Sequence, residues 1–245
     1  VSGIHAGVGH DIEALAAGDS PVHRLDPRAK IIGLIGLTVV AVTLPVGAWA
    51  ALGIVAGVLV ALAAVARLPA RHVLRRMNVE LPFLLSAAVL PFTADDGLRL
   101  AGTVAAKITI GVLAMIVLSS TTPFPMLLRG FELLRAPRLL VAIVAFMWRY
   151  LHVIGEEVTR MKVARQARGY SANWLWQATS TGPLIATLFL RALERGERVY
   201  LAMLSRGYTG GVPEGLGLRL AIRGADVAFV AGLALLLATV RVGLR

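Results

Sequence analysis

Residues 31–66 read IIGLIGLTVVAVTLPVGAWAALGIVAGVLVALAAVA, without one charged side chain. A hydrocarbon core about 30 Å thick takes about 20 helical residues to cross. The run is therefore too long for one span and slightly short for two. Leu44-Pro45-Val46-Gly47 supplies a turn signal in its middle. Arg24, Arg28 and Lys30 stand before it, and Arg67, Arg71, His72, Arg75 and Arg76 after it. Basic flanks stay on the cytoplasmic side, so the stretch predicts a helical hairpin with its tip outside. Lys30 and Arg67 are expected to snorkel and complete the two short spans.

The composition agrees with that reading. Of 245 residues 57% are hydrophobic and 16% charged, and the mean hydropathy is +0.76. Ordinary globular domains are about 45–50% apolar and about 25% charged. The net charge of +11, from 25 Lys and Arg against 14 Asp and Glu, fits the inner face of a membrane protein better than a nucleic-acid partner. Cysteine is absent, which excludes disulfides, thiol catalysis and Cys-ligated zinc. Val1 to Leu25 is polar-mixed and has no apolar core of a signal peptide.

Working outward from the hairpin, Val79–Leu100 reads as a short or kinked third span, because its apolar part, Leu81 to Ala94, carries Pro82 and Pro91. Asp95 and Asp96 form an outside turn. Leu100–Thr122 reads as a fourth span, interrupted by Lys107 near its outer end, where snorkelling is expected. Pro123, Phe124 and Pro125 break the helix at the inner face, followed by Arg129, Arg135 and Arg138. Leu139–Gly155 is apolar but holds Arg149 and His152, and basic residues on both sides of it prefer the same face. Pro137–Arg168 therefore reads as one long amphipathic helix at the inner face. Trp174, Trp176 and the run to Leu190 would form a second helix, and Arg191–Arg206 a third. A Gly-rich loop from Thr209 leads to a last span, Ala225–Val240, with Asp226 at the interface. The expected fold is all-α and polytopic, with about five transmembrane helices plus cytoplasmic helices. Residues 1–136 hold the N-terminal segment and four spans, 137–208 the cytoplasmic helix block, and 209–245 the loop and last span.

Two short segments in that block match: Ala167-Arg168-Gly169-Tyr170 and Ser205-Arg206-Gly207-Tyr208. Each ends a charged, helix-compatible run. Glycine after a cationic residue is a helix stop, and a cation in the last turn suits the negative end of the dipole. One such pair is a plain helix cap. Two, both followed by Tyr in so apolar a chain, suggest arginine-tipped helices that plug into a partner, since the guanidinium fork pairs with carboxylates and carbonyls.

Catalytic signatures are missing. There is no Gly-x-x-x-x-Gly-Lys-Ser/Thr phosphate loop and no His-Glu-x-x-His zinc motif. His5, His10 and Asp11 make at most a weak metal candidate. His23, His72 and His152 read as interfacial or packing residues. Glu156 and Glu157 should pair with Arg160 along one helix. No carboxylate pair lies within a span, which disfavours proton relays.

The paired tips, together with Ser20-Pro21-Val22-His23-Arg24-Leu25-Asp26-Pro27-Arg28-Ala29-Lys30, resemble the transmembrane T component of energy-coupling factor (ECF) importers, and most closely its cobalt-type CbiQ branch. In that family two coupling helices end in X-Arg-Gly, and each docks into one ATPase subunit. Here the second tip has Ser205 where Ala is commoner. The resemblance implies that Ala167, Arg168, Gly169, Ser205, Arg206 and Gly207 are the ATPase-coupling motifs of a multi-pass protein of the bacterial plasma membrane. It implies two ATPase subunits that bind the ATP, a substrate-binding membrane subunit that carries the metal site, no cofactor or metal in this chain, and no nucleic acid. Cobalt is the first substrate it suggests, with nickel and vitamins next. A rival of another class is a membrane-embedded transferase in which Arg168 and Arg206 grip a phosphate. A self-sufficient secondary transporter would carry an inverted repeat, and none is visible.

Overall fold

The computed structural model describes residue 16 and residues 18–92, 96–169, 181–208 and 223–242. These form helices α1 (Pro27–Thr43), α2 (Trp49–Val65), α3 (Ala70–Met77), α4 (Leu81–Ala87), α5 (Gly97–Thr121), α6 (Phe124–Leu133), α7 (Arg138–Ala167), α8 (Thr181–Ser205) and α9 (Gly224–Val242), with single 3₁₀ turns at Asn78–Glu80 and Leu90–Phe92. Among the described residues there is no strand. The chain is an all-α, polytopic membrane protein: α5, α7 and α9 are long and apolar enough to cross a bilayer, and α2 is a shorter apolar helix. Two compact units are present, one made of residues up to Leu134 with those from Gly217 onward, the other Arg135–Leu216.

In the first unit the 31–66 stretch folds as the expected hairpin. Asp26 caps α1, its carboxylate accepting from the Arg28 N–H at 2.8 Å, and Pro27 occupies the first helical turn, where its missing N–H costs nothing. The turn ends at Gly47, whose φ of +86° is a left-handed conformation that glycine takes without strain. The core is built from inward faces of α1, α2 and α5, with Leu37, Val55, Leu59, Ile110 and Val117 fully covered. Outward residues such as Ile35, Val39, Val42 and Val60 are exposed, an apolar outer face that suits contact with lipid. Small residues permit the close packing. A Cβ on Gly33 would meet the Phe229 ring of α9 at 2.9 Å, and one on Gly102 would meet Trp49 at 2.7 Å.

The two lysines expected to snorkel do something else. Lys30, 1% exposed, donates from Nζ to Thr121 O at 2.9 Å, Thr122 Oγ1 at 3.0 Å and His23 O at 3.2 Å. Lys107 donates to Leu44 O at 2.7 Å and Val42 O at 2.8 Å. Each lysine thus caps the carbonyl end of the other's helix: α1 supplies the cation for the C-terminus of α5, and α5 the cation for that of α1. Both ends carry partial negative charge and orphan carbonyls, and in a bilayer no water replaces a missing partner. Asp226, read from sequence as a tolerated interfacial residue, is 3% exposed and accepts from the backbone N–H groups of Asp26 and Arg223, both at 2.7 Å. It pins the start of α9 to the start of α1.

Two expectations need correction. The third span is not one helix: α4 has seven residues, about 10 Å at 1.5 Å per residue, too short to cross. Pro82 starts it afresh after the Asn78–Glu80 turn, and Pro91 sits in the next 3₁₀ turn; each removes a donor from the helical ladder. The second and third cytoplasmic helices are, over the described residues, the single helix α8, because nothing between Leu190 and Arg191 breaks the pattern; Trp174 and Trp176 lie outside those residues. The helix break expected at 123–125 holds, and it leads directly into a further helix, α6, with Pro123 as its N-cap and Gly130 against Ile31 and Pro27 of α1. The in-plane helix expected at Pro137–Arg168 is continuous as α7, and its first part is apolar and long enough to span.

Candidate functional site

The second unit carries both Arg-Gly segments, and each is a helix terminus of the same construction. At the end of α7, Arg168 is the C-cap, its N–H bonded to Arg165 O at 3.0 Å, and the Gly169 N–H bonds to Gln166 O at 3.0 Å. At the end of α8 the Gly207 N–H bonds to Leu204 O at 3.0 Å and the Tyr208 N–H to Met203 O at 3.0 Å, the paired bonds of a Schellman cap. Gly169 and Gly207 have φ of +80° and +82°. A Cβ would meet nothing within 4 Å at either glycine, so backbone conformation rather than lack of space calls for glycine there. Tyr170 lies outside the described residues.

This construction decides where the arginines point their charge. Each helix ends at a left-handed glycine, and Arg168 and Arg206 stand exposed just before it, along with Ala167 and Ser205. Neither guanidinium has an ion-pair partner among the described residues. The Ser205 hydroxyl turns back to donate to Ala202 O at 2.9 Å; in place of Ala it therefore adds no free polar group to the tip.

Behind the tips, α7 and α8 meet at a charged contact. Glu157 accepts from Arg160 at 2.9 Å on its own helix and from Arg191 on α8 in a short ion pair, while Glu156 lies 3.6 Å from Arg160. The Glu–Arg pairing along α7 is the one the i+3 and i+4 spacings predict. The link to Arg191 was not readable, since nothing in the local sequence says which residue far along the chain faces Glu157. Arg168 lies about three turns beyond Glu157, roughly 16 Å, and Arg206 about four turns beyond Arg191, roughly 22 Å. Between the helices runs an apolar groove of about 440 Å³, lined by Phe146, Met147, Tyr150 and Leu188 with Arg191 and Arg195 at its edge. Trp148 packs edge-on against His152, ring centres 5.8 Å apart, which gives that histidine the packing role expected. Among the described residues no group of His, Asp and Glu could hold a metal ion; His5, His10 and Asp11 are not among them.

Among the described residues, the arrangement offers two exposed cations on glycine caps and no group that could hold a metal ion. Comparison with known proteins points the same way. The family model described as cobalt transport protein, CbiQ, matches residues 18–215. An Acidaminococcus fermentans protein, "Energy-coupling factor transporter transmembrane protein EcfT", is 28% identical over 220 residues, covering 79% of this chain and 81% of that one. A Rhodobacter capsulatus "Cobalt transport protein CbiQ" is 34% identical over 94 residues, 38% of each chain. An uncharacterized protein of Methanocaldococcus jannaschii is 36% identical over 115 residues, 47% of this chain and 43% of that one. The matched stretches thus span less than half of the last two relatives. The family match covers most of the chain and takes in both arginine tips: the chain belongs to the CbiQ family, the transmembrane components of energy-coupling factor transporters, and is a transport component rather than an enzyme.

Proposed function

We propose that this chain is the coupler of its transporter. Arg168 and Arg206 each dock into one of two ATPase subunits, and α7 and α8 carry the resulting motion to a substrate-binding membrane subunit. The observation that carries the reading is the pair of matched, exposed, glycine-capped arginines, 80° and 82° in φ at the glycine behind them. Residues 137–208 then act as the coupling block. The remaining spans, with 1–136 and 209–245, act as the membrane anchor in the plasma membrane of a bacterial or archaeal cell. ATP is bound by the partners. Transmission requires that the tips contact the ATPases differently in two states, and the Glu157–Arg191 contact is the point about which the two helices pivot. Cobalt is the substrate we assign, on the family description and on the Ser20–Lys30 segment. The metal site belongs to the partner.

The test is the purified complex carrying Arg168→Ala with Arg206→Ala. Truncating a docked arginine leaves its acceptors unpaired, at about 2–5 kcal/mol per buried charged pair. ATPase subunits should therefore be lost in steps from single to double variant, and uptake of labelled cobalt with them. Arg→Lys should restore binding only in part, since an ammonium lacks the planar fork. Wild-type ATPase retention and uptake in the double variant would return both motifs to simple helix caps. Uptake of nickel or a vitamin in place of cobalt by the wild-type complex would overturn the substrate alone.

A further inference from the structure

The end of α2 breaks the rule that the two tips obey. The Arg67 N–H bonds to Ala64 O at 2.9 Å and the Leu68 N–H to Ala63 O at 3.1 Å, the same paired bonds as at Gly207. Yet the residue in the left-handed position is an arginine, with φ of +54°. A side chain there is strained relative to glycine. Strain of this kind is informative where something else rewards the residue that bears it.

What surrounds Arg67 is a basic, apolar-backed surface. Arg71 and Arg75 follow on α3 at a spacing of four, which puts them side by side on one helix face. All three arginines are exposed, and among the described residues none of their side chains has a hydrogen bond or ion pair. The fourth arginine of the group, Arg76, turns inward and donates to Ser119 Oγ of α5 at 2.8 Å, fixing the helix against the membrane unit. Leu74 is 65% exposed between the charges, and Val79, Leu81 and Phe83 continue the apolar surface beyond them. The patch stands at the end of the apolar helix α2, the depth at which headgroups begin.

We propose that Arg67, Arg71 and Arg75 form a binding site for the headgroup of an anionic phospholipid, whose acyl chains lie along the exposed apolar row from Leu74 to Phe83. Cations aligned at the boundary of an apolar face fit a phosphate attached to hydrocarbon. An acidic protein surface would satisfy the charges and leave the apolar row uncovered. The arginine at the left-handed position completes the triad that Arg71 and Arg75 alone leave open on the α2 side.

The experiment uses the full chain in nanodiscs of equal phosphatidylglycerol and phosphatidylcholine, released for native mass spectrometry to count retained lipids. The wild type should retain phosphatidylglycerol over phosphatidylcholine. Arg67→Gly should reduce that preference about fivefold, as expected for one basic residue at an anionic surface. It should also melt at or above the wild-type temperature in neutral detergent, because strain is relieved. The triple variant Arg67→Gly, Arg71→Gln, Arg75→Gln should lose the preference, and a triple Lys variant should keep most of it. Unchanged phosphatidylglycerol retention in the triple variant overturns the proposal. So does a triple variant that keeps its lipid but sheds ATPase subunits from the complex, which would assign the patch to a protein partner.

Discussion

Replacing Lys30 by methionine, nearly the same in volume, should unfold the membrane unit far more readily than any other loss of a single charge in it. The ammonium is 1% exposed and donates to three oxygens, two of them at the carbonyl end of α5. It is also near the buried carboxylates of Asp26 and Asp226. Methionine leaves the acceptors without a donor and takes a nearby cation from the two carboxylates, of which Asp26 keeps Arg28 at 3.9 Å. Breaking a buried ionic cluster by removing one member costs about 3–5 kcal/mol, and for a chain of this size each kcal/mol moves the melting temperature by about 2–4 °C. The expected drop is therefore on the order of 6–20 °C, read by thermal melting of the purified chain in neutral detergent. Lys107→Met removes only two bonds to carbonyls nearer the surface and should cost about 1–3 kcal/mol. Combining Lys30→Met with Asp226→Asn should cost less than the two single changes together, by 1 kcal/mol or more, if the groups act as a cluster. A Lys30→Met protein melting within about 0.5 kcal/mol of the wild type, the range of inconsequential surface changes, would refute the reciprocal-cap argument.

Two more outcomes follow from the second unit. Gly207→Ala has room for its methyl group, with nothing within 4 Å, but must hold φ near +82°. The change should cost about 1 kcal/mol, fray the end of α8, and weaken ATPase retention less than Arg206→Ala does. Glu157→Gln removes the ionic contact with Arg191 while leaving both tips intact. It should leave ATPase subunits bound but lower the cobalt transported per ATP hydrolysed, a split that measuring both in proteoliposomes would show. Equal loss of binding and transport would contradict the pivot role.

Local signals carried much of this fold. The uncharged 31–66 run with its Pro-Val-Gly turn, the Asp26-Pro27 cap and the Arg-Gly stops each depend on neighbours in sequence, and the helices begin and end close to where those residues put them. Pro82 and Pro91 mark the third stretch as short or kinked, but the sequence does not show that these prolines leave only the seven residues of α4 in α-helix before the Leu90–Phe92 turn. The partners of Lys30, Lys107 and Asp226 were unreadable for a different reason. A charged residue near a span boundary suits the headgroup region by itself, and only helix pairing shows that these three face the ends of neighbouring helices. The same holds for Glu157 and Arg191. The apolar first part of α7 shows the limit from the other side: basic flanks argue for one face, while length and hydropathy permit crossing.

Site-specific cross-linking at the tips tests the coupling account most directly, and the absence of native cysteine makes it clean. Ala167→Cys and Ser205→Cys, both exposed next to the two arginines, leave the guanidinium groups in place. Treated with a short bifunctional thiol reagent in the assembled complex, each variant should link to an ATPase subunit bearing a surface cysteine beside its docking cleft. The double variant should capture two ATPase subunits, and the yield should change when ATP is bound. Failure of both positions to capture an ATPase subunit in a complex that still transports would contradict the account.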